Sequence, residues 1–310
     1  VEALPDPEVA FGYFISPIET RVGPQQMRFS VSQMFPWFGT LEARGEAAAL
    51  QAKAKYKAFQ ATKNKVFWRV KQAWYKLYHL EERIRVTREN IDILNSFKSI
   101  AEIKFESGQT SMVDVIRVEM ELEELQNRLK KLEDQRQPFQ KDFAQLLNKD
   151  MESEISLPDT MNLDTLEVSK TALLDSIRQH NPELNQLAQA QKAREQSIEV
   201  ARKEGYPDIG LGVDYVITQE RNVEGLNDNG QDAFMPKLSV KIPLYRQKYK
   251  AKRQEARYQM EQVRHQRQDK LTALITDFEE AYQQYRDARR RVQLYQEQID
   301  RARQAIDILT

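Results

Sequence analysis

The sequence predicts a mainly α-helical protein that also carries four amphipathic β-strands in two hairpins. Three observations predict it. Apolar residues recur at alternating spacings of 3 and 4 along long stretches, the mark of packed helices. Apolar and polar residues alternate over four short stretches, the mark of strands with one apolar face. The order hairpin, then long helix, occurs twice, at an offset of about 200 residues.

Residues 1–38 hold the first hairpin. In PEVAFGYFI (7–15), Val9, Phe11, Tyr13 and Ile15 share one face, and Ala10, Gly12 and Phe14 the other. Pro17 is expected to end this strand, with IETRVGPQQ (18–26) as a loop. Met27, Phe29 and Val31 then oppose Arg28, Ser30 and Ser32, and FPWFG closes the strand with Phe35, Trp37 and Phe38.

Residues 39–147 read as a long helical hairpin. Its first helix, about 40–106, would span roughly 100 Å at 1.5 Å per residue. Val66, Val70, Ala73, Leu77, Leu80 and Ile84 form its seam, continued by Ile91 and Leu94. Gly108 suits the left-handed position that closes a helix. Ser111, with Asp114 three residues on, suits the start of the next. Val115, Val118, Leu122, Leu125, Leu129 and Leu132 carry the returning seam, and Phe139 and Phe143 extend the apolar face. Pro138 is expected to kink or interrupt this helix. By itself the turn reads as an ordinary antiparallel tip, and the sharper reading, a docking tip, needs the rest of the chain.

Residues 148–164 are a connector, and 165–206 a further helix broken at Asn181-Pro182. The opening pattern then returns in a second hairpin, 207–245. PDIGLGVDY (207–215) repeats PEVAFGYFI, with Gly212 falling on Gly12, and IPLY (242–245) echoes FPWF (35–38). A long helix, 246–310, keeps the register of the first, Arg291-Val292 falling on Arg83-Ile84. On this plan Thr310 corresponds to Glu102, so a second tip with its returning helix, and a helix before Val1, are expected to be missing. A start inside a folded segment is expected of a mature product or a fragment.

Four such strands leave open edges, and a closed barrel shared between chains would satisfy them. Apolar-out, polar-in alternation fits a membrane barrel with a wet lumen. A soluble sandwich burying the apolar faces is the alternative. Trp37, Phe35 and Phe38 at a strand end suit a membrane-interface belt, or a local cap on the hairpin.

Composition narrows the function classes. Lysine plus arginine and aspartate plus glutamate both number 47, which removes the bulk electrostatic case for nucleic acid. There is no cysteine, hence no disulfide framework or thiolate site. No run of 18 apolar residues suggests a transmembrane helix. His79, His180 and His265 are scattered in charged helical contexts, and Glu119, Glu121, Glu123 and Glu124 read as a solvated face. Met112 and Met120 read as apolar filler near the tip, with a metal relay as the rival. No enzyme, cofactor or metal site is expected.

The duplicated plan, the junctions SQMFPWFGTL and SVKIPLYRQ, NPEL (181–184), PDIGLGVDY and KFESGQTSMVDV together resemble the TolC-type outer-membrane efflux protein family over nearly the whole chain. The resemblance implies a trimer with four strands per chain in one 12-stranded barrel, and a helical tunnel through the periplasm. It implies an exit duct of a tripartite system, working with a periplasmic adaptor (a membrane fusion protein) and an inner-membrane pump, in contact with outer-membrane lipid. Lys104, Phe105, Gly108, Thr110, Ser111 and Asp114 then become candidates for adaptor docking. Arg28, Ser30, Ser32, Asp214, Lys237, Ser239 and Lys241 become candidates to face the lumen. Three cations against one anion there fit either a weak anion preference or a plain solvated face. A type I protein secretion duct, a metal-efflux duct and a soluble coiled-coil scaffold are the rival functions. The acidic rings and entrance contacts that the family places near its second tip, and the lipidated cysteine with which some members begin, have no counterpart to read here.

Overall fold

A computed structural model describes residues 2–149, 155–158, 161, 165–223 and 225–309. The elements run β1 (Glu8–Thr20), β2 (Gly23–Phe35), α1 (Thr40–Glu106), α2 (Met112–Leu146), α3 (Lys170–His180), α4 (Pro182–Lys203), β3 (Asp208–Thr218), β4 (Ala233–Lys241) and α5 (Arg246–Leu309). They fall into two units, 1–59 with 168–310, and 60–167.

In the first unit the four strands form one antiparallel sheet in the order β1-β2-β3-β4. The two hairpins therefore join through β2 and β3, with Val31 opposite Val213 and Ser30 opposite Asp214. The expected loop at 18–26 is instead mostly strand, because β1 and β2 continue to a tight turn at Arg21-Val22. Pro17 does not stop β1. It lies where the register slips between Tyr13 and Ile18, and β1 is an edge strand of this sheet, where a missing N–H costs nothing. Proline recurs at Pro236 on the other edge strand, β4. The longer loop after β3 folds back onto the short turn. Gln219 N–H donates to the Pro24 carbonyl (2.9 Å), Gly230 N–H to the Val22 carbonyl (2.7 Å), and Arg221 pairs with Glu19 (2.5 Å).

The helices of this unit pack as an antiparallel pair, α4 against α5. Glu183 pairs with Lys270, Arg194 donates to Gln259 (2.9 Å), and Glu204 pairs with Lys252 (3.1 Å). The break at Asn181-Pro182 is there. Asn181 Oδ1 caps α4 by accepting from the Glu183 and Leu184 amides, and Pro182 takes the first-turn position that needs no donor. The helix before it starts at Lys170, later than 165, with Ser169 as its cap.

In the second unit α1 and α2 form another antiparallel pair. Glu81 holds Arg136 through both oxygens (2.6 and 2.7 Å), Arg88 meets Glu133 (2.6 Å), and Lys98 meets Glu119 (2.8 Å). The seam is where the spacing put it: Leu77, Leu80 and Ile84 of α1 are at most 2% exposed, as is Leu132 of α2. Val66 is the exception and lies exposed. Pro138 does not interrupt α2. Phe139 and Phe143 pack beside it against Ala73, Leu77 and Leu80, so apolar burial on the same face offsets the lost hydrogen bond. The described part of the connector is not passive: Ile155 and Leu157 lie on that core. The rest of the 148–164 connector lies largely outside the described residues.

Candidate functional site

Two places gather the residues singled out in the sequence: the polar face of the sheet, and the turn between α1 and α2.

On the sheet, cross-strand pairing sorts the side chains into two rows. Val9, Phe11, Phe29, Val31, Leu211, Val213, Tyr215, Leu238 and Val240 lie on one face and are exposed. Phe11 and Phe29 touch there, ring centroids 5.1 Å apart. Arg28, Ser30, Ser32, Asp214, Lys237, Ser239 and Lys241 share the opposite face with Gly210 and Gly212. Asp214 is fully buried on that face, its carboxylate clamped between the Arg28 guanidinium and the Lys237 ammonium. A carboxylate removed from water in this way is held by charge on both sides. Two further acids occupy the same face, Glu8 opposite Ser32 and Asp208 opposite Lys241. Charge is therefore balanced there, three cations to three anions, and the weak anion preference has no net charge behind it. Alternation already puts Glu8 with Ala10 and Gly12, and Asp208 with Gly210 and Gly212, but the count of lumen-facing charges began further along each strand and left both acids out.

Gly212 has a close-approach role. A Cβ there would come within 2.9 Å of the Val31 carbonyl oxygen.

The aromatic cluster divides. Trp37 is half-buried and its ring stacks on Tyr206 (5.3 Å, 19° between planes), while its backbone N–H donates to Asp208 Oδ1 (3.3 Å). Phe35 is half-buried at the end of β2, and Phe38 is largely exposed. Tyr206 was missed in the sequence because its role depends on β3 lying beside β2.

The turn is built by local hydrogen bonds. Gly108 takes φ +73°, Gln109 N–H donates to the Lys104 carbonyl (2.8 Å), and Gly108 N–H to that of Phe105 (2.9 Å). This pair of bonds is the Schellman closure, and it uses up two of the carbonyls that a helix end leaves free. Asp114 then organises the start of α2. Its Oδ2 accepts from the Thr110 hydroxyl (2.7 Å), the Ser111 hydroxyl (2.8 Å) and the Ser111 amide (3.2 Å). The Thr110 hydroxyl first, then the Ser111 donors, hold this carboxyl below its usual pKa. Lys104 and Phe105 are exposed on the α1 side, and Met112, Val113 and Ile116 on the α2 side.

Elsewhere in the first unit, Arg44 and Lys252 both hold Glu204 (2.9 and 3.1 Å) in a groove of about 380 Å³. Burial raises the Glu204 carboxyl, and hydrogen bonds from these two cations more than reverse that, leaving it below its usual value. Among the described residues no three or more His, Asp or Glu side chains are grouped to hold a metal ion, and no helix is long and apolar enough to cross a membrane.

The sequence profile of the outer membrane efflux proteins matches residues 20–149 and 173–310. The chain belongs to the outer membrane efflux protein family. Its place is the outer membrane, with an extension into the periplasm. Among curated proteins none matches the sequence. Solved structures of the same fold include VceC, an outer membrane protein of Vibrio cholerae (TM-score 0.67, 15% identity, covering 87% of this chain and 66% of that one). The CmeC outer membrane channel of Campylobacter jejuni (0.64, 15%, 87% and 60%) and the open state of the MtrE outer membrane channel of Neisseria gonorrhoeae (0.63, 16%, 89% and 62%) are others. The chain thus spans less than two thirds of each of these efflux-family structures.

Proposed function

We propose that this chain is one protomer of a trimeric outer-membrane exit duct, passive in itself, fed by an inner-membrane pump through a periplasmic adaptor. The observation that carries the reading is the sheet. One face presents an exposed apolar row, the other carries internally neutralised charge, and β1 and β4 have no further strand beside them among the described residues. Open edges seek other strands, and three such sheets edge to edge make a closed barrel of twelve strands. The apolar row would then meet lipid, while Arg28, Ser30, Ser32, Lys237, Ser239 and Lys241 would line water, with Asp214 held beneath Arg28 and Lys237 on that side rather than open to the lumen. Phe35, Trp37 and Phe38 stand at the end of β2, where an interfacial aromatic belt belongs. The CmeC and MtrE structures are described as outer membrane channels, which accords with a duct. A soluble scaffold would have to cover the apolar row with a second layer, and no described element does so.

In this reading Lys104, Phe105, Gly108, Thr110, Ser111 and Asp114 form the adaptor-docking tip, and small shifts of the packed helices gate the duct. The pump, not this chain, would select drug, metal or protein cargo.

Oligomeric state and location of the full-length protein test the reading. A heat-sensitive trimer in the outer-membrane fraction, stable in mild detergent, is expected. A soluble monomer or dimer with no detergent requirement would overturn it. For the tip, Gly108→Pro and Asp114→Lys should weaken adaptor cross-linking with trimers intact, and undiminished cross-linking would sink the docking assignment.

A further inference from the structure

The apolar rows of the sheet run into a basic cleft. Asp208 pairs with Lys241, so the α4–β3 and β4–α5 junctions lie side by side. Between them is a cleft of about 330 Å³, lined among others by Arg202, Arg246, Arg253, Tyr206, Tyr249 and Ile242. Arg202 already holds Glu199 (2.7 Å). Arg246 and Arg253 have no carboxylate within 4.0 Å among the described residues. The carboxylate of Glu204 is committed to Arg44 and Lys252. The first two turns of α5 add Lys248, Lys250 and Lys252, with no acid before Glu255. Two guanidinium groups thus stand uncompensated in a cleft with tyrosine walls.

The position of the cleft gives its occupant. Pro207 and Ile242 lie one residue beyond the last ladder pair, Asp208 and Lys241, and by alternation continue the apolar row on which Ile209 and Val240 face each other. The cleft therefore opens where the apolar face ends, and Ile242, Leu244 and Tyr245 continue exposed apolar surface past it. It also lies at the helix end of the sheet, which in the duct reading is the periplasmic side. Acyl chains laid on the apolar row would end with their headgroups at the arginines. The planar fork of arginine matches phosphate oxygens two at a time, and tyrosine suits the headgroup level.

We propose that this cleft binds the phosphodiester headgroup of an anionic phospholipid in the periplasmic leaflet. The proposal rests on the reading that the apolar row meets lipid.

The test uses the full-length protein in mild detergent, offered phosphatidylglycerol or phosphatidylcholine with the same acyl chains, and native mass spectrometry to count retained lipid. Wild type should retain phosphatidylglycerol in preference to phosphatidylcholine. The pair Arg246→Gln and Arg253→Gln should lower phosphatidylglycerol retention by about 30-fold, the loss of two cations near a headgroup. Retention equal to wild type in that double variant would overturn the proposal. So would an equal loss from Arg301→Gln with Arg303→Gln, far along α5, since net charge alone would then be the cause. Inorganic phosphate at matched concentration should not displace the lipid, and displacement would assign the cleft to free phosphate instead. Outer-membrane fractionation of the wild type separates the two readings. Failure to insert defeats the duct itself. Insertion as a trimer with lipid retention indifferent to both arginines defeats only this site.

Discussion

Leu80 and Leu238 both belong to regular apolar repeats, yet Leu80 is 1% exposed and Leu238 is 71% exposed. The α1/α2 pair satisfies its repeat within its own chain: Ala73 and Leu77 cluster with Phe143, and Leu80 and Ile84 with Leu132, of the returning helix. The sheet does not. Its apolar row is paired strand to strand along one face and covered by no described element. The difference separates what this chain can stabilise alone from what it leaves to lipid and to other copies.

Four measurements would break or sharpen that contrast. Leu80→Ala should destabilise the helix pair by about 3 kcal/mol, a buried leucine traded for a cavity, read by denaturant unfolding of the purified chain. An effect below about 1 kcal/mol would mean the seam is not the core it resembles. Leu238→Arg should leave that unfolding unchanged and oppose outer-membrane insertion by roughly 2 kcal/mol, read as the inserted fraction. Normal insertion would return the apolar row to solvent or to a protein partner. Gly108→Ala should cost roughly 1 kcal/mol, because the position is left-handed while nothing lies within 4 Å of a new Cβ. The loss should appear as faster amide exchange at residues 104–111, and Gly108→Asn should recover part of it.

The smallest effect concerns Asp114. Its carboxyl titrates below the usual value, so its contribution to the turn is complete above the usual carboxylate range. The contribution fades as pH falls through the lowered pKa. Amide exchange at 110–114 should therefore accelerate on acidification in wild type. In Asp114→Asn it should be faster at neutral pH and indifferent to acid, and an unchanged acid response would assign that response to another group.

The sequence made the helices and the alternation readable because each depends on spacing within one segment. Leu77, Leu80 and Ile84 needed no knowledge of their partner to be placed on a seam. The same holds for the turn, where Gly108, Ser111 and Asp114 act within a few residues of one another. The strand ends were not readable. Pro17 looks like a stop unless β1 is known to be an edge, and that is a property of the sheet order. The clamp on Asp214 joins residues 186 apart through Arg28, and a register pairing of that kind leaves no trace in either segment alone. Glu8 and Asp208 are different: alternation within their own segments puts both on the polar face, and counting them there gives its charge balance.

The loop after β3 is laced to the turn between β1 and β2 at Gln219, Arg221 and Gly230, while Gly225 has open space around it. The two hairpin ends are therefore one object for engineering. A peptide tag spliced in after Gly225 leaves the lacing intact and is displayed outward. The same tag between Asn229 and Gln231 would pull the anchoring amide at Gly230 off the Val22 carbonyl and loosen both hairpins together.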